Sequence, residues 1–149
     1  MKTYSFAKLQ ARWFPKMEEI QHPFIYGHVK YVVNVSEQSY SPIMQEAFDE
    51  NGIKTSHFPL SETDSDMGLE NIFRAVAILE KADEECAPAV VHCVGGDNRS
   101  RVVCECFHFK KTGYQLEDEY KGYTNHLIYN IAEKHLPPIE IISEKLKLL

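Results

Sequence analysis

Short strand-like runs, each followed by a stretch of helical periodicity, constrain this chain more than any other feature. Tyr31-Val32-Val33-Asn34-Val35 is apolar and β-branched, as a buried strand is. Ser41-Pro42 then reads as N-cap and first helical residue, Ile43, Met44, Ala47 and Phe48 share a helical face, and Gly52 marks the stop. Lys54 to Phe58 is a second strand, closed by Pro59 and followed by a polar loop from Ser61 to Asp66. Leu69, Ile72, Phe73, Val76 and Leu79 keep the spacing of an amphipathic helix. Ala89-Val90-Val91 is a third strand, short and apolar enough to be central. After it, Val102, Val103, Cys106, Phe107 and Lys110 restore the helical period until Thr112-Gly113. Such alternation predicts an α/β fold, a central mostly parallel sheet flanked by helices. Two more helices are expected near Gln115–Lys134 and Pro138–Leu149. The first 28 residues carry the weakest pattern, with a helical turn over Pro15–Ile20 and a short strand at Phe24-Ile25-Tyr26.

No repeat or linker interrupts the 149 residues, so one domain over residues 1–149 is expected. A net charge of −6 speaks against nucleic-acid and anionic-membrane partners, and no apolar run is long enough to span a bilayer. The N-terminus shows no apolar signal core, which predicts a cytoplasmic protein. In a reducing compartment Cys86, Cys93, Cys104 and Cys106 are packing residues, metal ligands or reactive thiols, not a disulfide scaffold. The histidines form no ligand-spaced cluster, so neither a metal nor a cofactor is expected. Cys104 and Cys106 face apart on a helix and read as core packing. Arg74 and Arg101 read as solvated salt-bridge partners.

The chemistry points to the segment between the third strand and the next helix, His92-Cys93-Val94-Gly95-Gly96-Asp97-Asn98-Arg99-Ser100. A loop of this length can curl so that its N–H groups point inward, with Gly95 and Gly96 free to take positive φ. The helix starting near Arg99 adds partial positive charge, and a guanidinium can close over two oxygens of a tetrahedral dianion. The same field favours a thiolate at Cys93, a nucleophile at neutral pH. One cradle thus activates the attacking group and holds the charge that develops.

His92-Cys93-x-x-Gly96-x-x-Arg99-Ser100 matches the signature of the cysteine-dependent protein tyrosine phosphatase superfamily, and the chain resembles its small (atypical) dual-specificity branch. The resemblance runs loosely from about Tyr31 onward. It implies that Cys93 attacks phosphorus to form a phosphocysteine. Arg99 and the N–H groups of Val94, Gly95, Gly96, Asp97, Asn98 and Arg99 would then hold the phosphoryl oxygens. Ser100 would hydrogen-bond the sulfur, and His92 would orient the loop. A leaving oxygen needs a proton donor. The stretch Phe58-Pro59-Leu60-Ser61-Glu62-Thr63-Asp64 resembles the family's lead-in and assigns the acid to Asp64. Asp66, a natural N-cap for the Leu69 helix, is the alternative acid, with Glu62 behind it.

The implied substrate is a phosphorylated protein or peptide, phosphotyrosine first and phosphoserine or phosphothreonine on the dual-specificity pattern. Phosphate, sulfate and vanadate would occupy the same loop. The loop holds no lysine, and Asp97 would oppose a dianion unless it faces solvent, which argues against highly charged inositol or lipid substrates. Two rival readings use the same residues. One is a catalytically weak or inactive phosphobinding module on the same fold. The other is a rhodanese or arsenate-reductase-like loop-cysteine enzyme, which needs no upstream acid. Cys86 is a candidate resolving partner for Cys93.

Overall fold

Residues 2–4, 9–60, 65–95 and 99–112 are described by the computed structural model. Its elements are β1 (Lys2–Tyr4), β2 (Leu9–Arg12), α1 (Met17–Ile20), β3 (Tyr31–Asn34), α2 (Pro42–Glu50), β4 (Lys54–His57), α3 (Ser65–Glu84), β5 (Ala89–His92) and α4 (Arg99–Thr112). The strands form one sheet in the order β1-β2-β5-β3-β4. The β2–β5, β5–β3 and β3–β4 pairs are parallel, and only β1 runs antiparallel, on the edge beside β2. The α/β sheet expected from the strand–helix alternation is thus present, with β5 in the middle.

Strand alternation sends side chains to two separate cores. Leu9, Ala11, Val33, Ala89, Val91 and Cys93 pack with α3 and α4, through Ile72, Val76 and Leu79 on one helix and Val102, Val103 and Phe107 on the other. Val32 and Val90 point the opposite way, onto Ile20, Tyr26, Ala47 and Phe48. β5 has only buried residues, as its apolar composition demands.

The α2 signals act as written. The Ser41 side chain accepts the Met44 N–H at 3.2 Å, Pro42 opens the helix, and Gly52 follows the Asn51 C-cap with φ at 70°. Ile43, however, is exposed, and the packed stripe consists of Met44, Ala47 and Phe48. The expected strand at Phe24-Ile25-Tyr26 is instead a turn, in which the Ile25, Tyr26 and Gly27 N–H groups all reach the His22 carbonyl. Gly27 explains it: a Cβ there would lie 2.5 Å from the Pro23 Cα, so the chain doubles back more tightly than a strand allows. Burial of Tyr26 against Phe48, not sheet pairing, accounts for the apolar run.

The helices expected near Gln115–Lys134 and Pro138–Leu149 lie outside the described residues. Among the described residues no helix is long and apolar enough to cross a membrane.

Candidate active site

The C-terminal ends of β2, β5, β3 and β4 share one edge of the sheet, where parallel α/β folds keep their ligand crevices. Backbone hydrogen bonds continue past the strand ends. The Phe14 N–H reaches the Val94 carbonyl at 2.9 Å, the Val35 N–H reaches the His92 carbonyl at 2.9 Å, and the Leu60 N–H reaches the Val35 carbonyl at 3.0 Å. Four chain segments are thereby lashed side by side around Cys93, the first residue after β5.

Cys93 is buried, and its Sγ lies 3.4 Å from Ser100 Oγ in the first turn of α4. The helix begins at Arg99, so its unsatisfied N–H groups and dipole face the loop. Arg99 is half-buried, and its Nη1 donates to the Leu60 carbonyl at 3.1 Å. The neighbouring Pro59 carbonyl accepts from Asn71 Nδ2 at 2.7 Å. The chain leading to residue 61 is therefore held from both α3 and α4. Asp64, Glu62, Gly96, Asp97 and Asn98 lie outside the described residues. α3 starts at Ser65, so Asp66 stands inside the first turn and is not the N-cap expected of it. Gly95 does not use the left-handed freedom expected of it: its φ lies outside that region, and a Cβ there would meet nothing within 4 Å. Val94, beside it, is exposed.

His92 is fully buried at the end of β5. Its Nδ1 lies 3.1 Å from the Cys93 carbonyl, and its Nε2 meets the Tyr40 hydroxyl. Burial pushes the ring down to about 4, although the Cys93 carbonyl favours its protonated form. Tyr40 escapes sequence reasoning because it is a single aromatic in the polar Ser36–Ser41 stretch. That stretch is pinned by Asn34, whose Nδ2 donates to the Gln38 carbonyl at 2.7 Å and whose Oδ1 accepts from Ser36 Oγ at 2.7 Å.

A second polar cluster at the end of β2 was equally invisible. Arg12 Nη2 donates to Glu19 Oε2 at 3.0 Å, a buried ion pair. The Trp13 indole N–H also reaches this carboxylate, at 3.1 Å, and the Lys16 N–H at 2.9 Å. Burial alone would raise the Glu19 carboxyl, but these hydrogen bonds outweigh it and hold it below its ordinary value.

The remaining cysteines divide by position. Cys104 and Cys106 lie on α4 and are buried, and burial pushes the Cys106 thiol up to about 12 and raises Cys104 well above its ordinary value. Both stay protonated packing groups. Cys86 is exposed and follows α3, with the whole of β5 between it and Cys93. Strand rise alone sets the ends of β5 about 10 Å apart, before the residues that flank it are added. A disulfide needs Cα atoms within about 7 Å. The resolving role considered for Cys86 is therefore excluded by the sheet. Arg74 pairs with Glu70 at 2.5 Å in an exposed salt bridge, as expected.

No family model matches the chain. The chain is 34% identical over 71 residues to the probable dual specificity protein phosphatase H1 homolog of fowlpox virus, a match covering 48% of this chain and 39% of that relative. Among solved structures, Tk-PTP in a mutant form superposes with a TM-score of 0.66 at 18% identity, covering 92% of this chain and 90% of the other. The core catalytic domain of the PP-IP phosphatase SIW14 from S. cerevisiae, in complex with citrate, gives 0.64 at 18% identity over 95% and 90%. PTPMT1 in complex with PI(5)P gives 0.61 at 14% identity over 91% and 87%. The chain thus has the protein tyrosine phosphatase-like fold, with the Cys93–Arg99 segment between its central strand and the helix that follows.

Proposed function

We propose that the chain is a cysteine-dependent phosphatase that hydrolyses phosphotyrosine and, on the dual-specificity pattern, phosphoserine or phosphothreonine monoesters. One observation supports this reading above the rest. The buried Cys93 thiol follows the central strand 3.4 Å from Ser100 Oγ, at the N-terminus of a helix that opens with Arg99. In the first step the Cys93 thiolate attacks phosphorus, the P–S bond forms and the P–O bond to the leaving group breaks. Asp64 gives its proton to that oxygen, while Arg99 and the loop N–H groups hold the three remaining oxygens. In the second step water attacks phosphorus, Asp64 takes its proton, and the P–S bond breaks to return the thiolate, which Ser100 receives. The nucleophile is the thiolate, so the reaction needs no metal.

SIW14 is described as a PP-IP phosphatase, and PTPMT1 was solved with PI(5)P, so inositol phosphates are the competing substrate class. The loop 93–99 carries Asp97 and no lysine, which favours a less charged ester.

The test is hydrolysis of para-nitrophenyl phosphate in EDTA, followed by a phosphotyrosine peptide set against an inositol polyphosphate. Cys93→Ser lowers vanadate-sensitive turnover by at least about 1000-fold. Asp64→Asn lowers phosphopeptide turnover by about 100-fold. A well-folded wild-type protein with no turnover would move the reading to a phosphobinding module, with Asp97 the first residue to replace.

A further inference from the structure

The phosphate cradle accounts for the phosphoryl group, but something must select what that group is attached to. Strand order supplies the candidates. Cys93 follows β5, whose neighbours are β3 on one side and β2 on the other. On the β3 side, with β4 beyond it, stands the Phe58–Leu60 segment that leads into the acid loop. On the β2 side stands Trp13. The register that pairs Arg12 with His92 brings Trp13 level with Cys93, and the Phe14 N–H bond to the Val94 carbonyl keeps the two chains together beyond it. Adjacent strands lie about 5 Å apart, so the two Cα atoms are neighbours at the crevice edge.

Trp13 is also built to stay in place. The Arg12 guanidinium covers its ring at 4.7 Å, and its indole N–H is held by the Glu19 carboxylate at 3.1 Å. The residue nevertheless remains 37% exposed, and Val94, the first residue of the loop after Cys93, is 52% exposed. A fixed, partly open tryptophan on the chain segment paired with an exposed valine is an unusual feature for a site that otherwise handles a dianion. Its polar edge is already satisfied, so what it offers a ligand is apolar and aromatic surface.

Building on the phosphatase reading, we infer that Trp13 is a specificity-determining residue, the wall against which the leaving group of a bound monoester packs. It selects flat aromatic esters, phosphotyrosine above all, over short aliphatic ones. The wall acts on the part of the substrate outside the cradle, so it separates substrates that share the same phosphoryl group.

The chain has one tryptophan, which makes the test direct. In the Cys93→Ser protein, phenyl phosphate changes the tryptophan emission saturably, whereas orthophosphate at saturating concentration does not. An equal response to both ligands, or to neither, overturns the assignment. In the otherwise unaltered protein, Trp13→Ala lowers kcat/KM for a phosphotyrosine peptide about tenfold more than for the matching phosphoserine peptide, chiefly through KM, and Trp13→Phe restores most of the discrimination. Equal losses for the two peptides overturn it as well. If the wild-type protein turns over neither peptide, the phosphatase reading fails, while the emission experiment still decides whether Trp13 meets an aryl phosphate.

Discussion

The Tyr40 hydroxyl meets Nε2 of His92, and the contact at the ring's other nitrogen decides that the hydroxyl is the donor. The other nitrogen, Nδ1, faces the Cys93 carbonyl at 3.1 Å, and a carbonyl only accepts. Nδ1 therefore bears the proton and Nε2 the lone pair. Burial keeps the ring neutral by lowering its pKa to about 4 and keeps the tyrosine protonated by raising its own. Phe14 packs edge-on against the ring at 5.1 Å, and Tyr40 itself rests on Phe48 at 4.9 Å. A chain of two neutral hydrogen bonds thus runs from the β3–α2 connection to the Cys93 carbonyl after β5.

Removing only the hydroxyl isolates that chain. Tyr40→Phe keeps the ring contacts and leaves the buried Nε2 without its donor, at a cost of about 1–3 kcal/mol in urea unfolding. The ring that holds the Cys93 carbonyl loses one of its two anchors, so kcat falls between about tenfold and a hundredfold while KM changes less. Unchanged stability would mean the bond contributes nothing.

His92 also makes stability depend on pH, in a window that follows from its lowered pKa. The unfolded ring protonates near its ordinary value of 6.5, the folded one near about 4. Between those values the unfolded state binds more protons, so the stabilising contribution is complete above about pH 6.5 and is lost as pH falls towards 4. Urea unfolding at about pH 7.5 and about pH 5 should differ by about 2 kcal/mol from this residue. His92→Asn should remove that part of the slope.

These contacts mark the boundary of what could be read from the chain alone. The valine-rich β3 and β5, the Ser41-Pro42 cap and the cysteine–arginine spacing are local patterns, visible because each element carries its own reason to form. β2 carries none: Leu9-Gln10-Ala11-Arg12 has four residues, one of them charged, and becomes a strand through its pairing with β5. Arg12 is buried there because Glu19 neutralises it. Phe24-Ile25-Tyr26 misleads in the opposite direction, since an apolar triplet looks the same whether a sheet or an aromatic cluster buries it. Tyr40 sits 52 residues from His92, a pairing that only the folded sheet creates.

The Arg12–Glu19 pair carries a prediction of its own. Glu19→Ala takes the carboxylate from Arg12, from the Trp13 indole and from the Lys16 N–H together. Truncating one side of a buried pair costs about 3 kcal/mol or more. Arg12→Met combined with Glu19→Leu removes both charges and should recover most of that loss in thermal unfolding. Phosphotyrosine selectivity should not return with it, because the indole has lost the partners that fix it. A double variant as unstable as the single one would show that shape at this site outweighs charge.

Cys86 ends α3 in a conformation that suits another residue. The Ala87 N–H reaches the Ala82 carbonyl at 2.8 Å and the Cys86 N–H reaches Asp83 at 3.0 Å, the two bonds of a Schellman cap. Cys86 occupies the left-handed position of that cap, with φ at 54°, where glycine is the unstrained choice. Cys86→Gly should therefore raise stability by about 1 kcal/mol, measured by urea unfolding. The same variant tests the redox question. With β5 between the two thiols, peroxide should inactivate Cys86→Gly at the wild-type rate, and mass spectrometry of the oxidised wild-type protein should find no Cys86–Cys93 crosslink. Faster inactivation of the variant would show that Cys86 protects Cys93 after all, which would require β5 to leave the sheet.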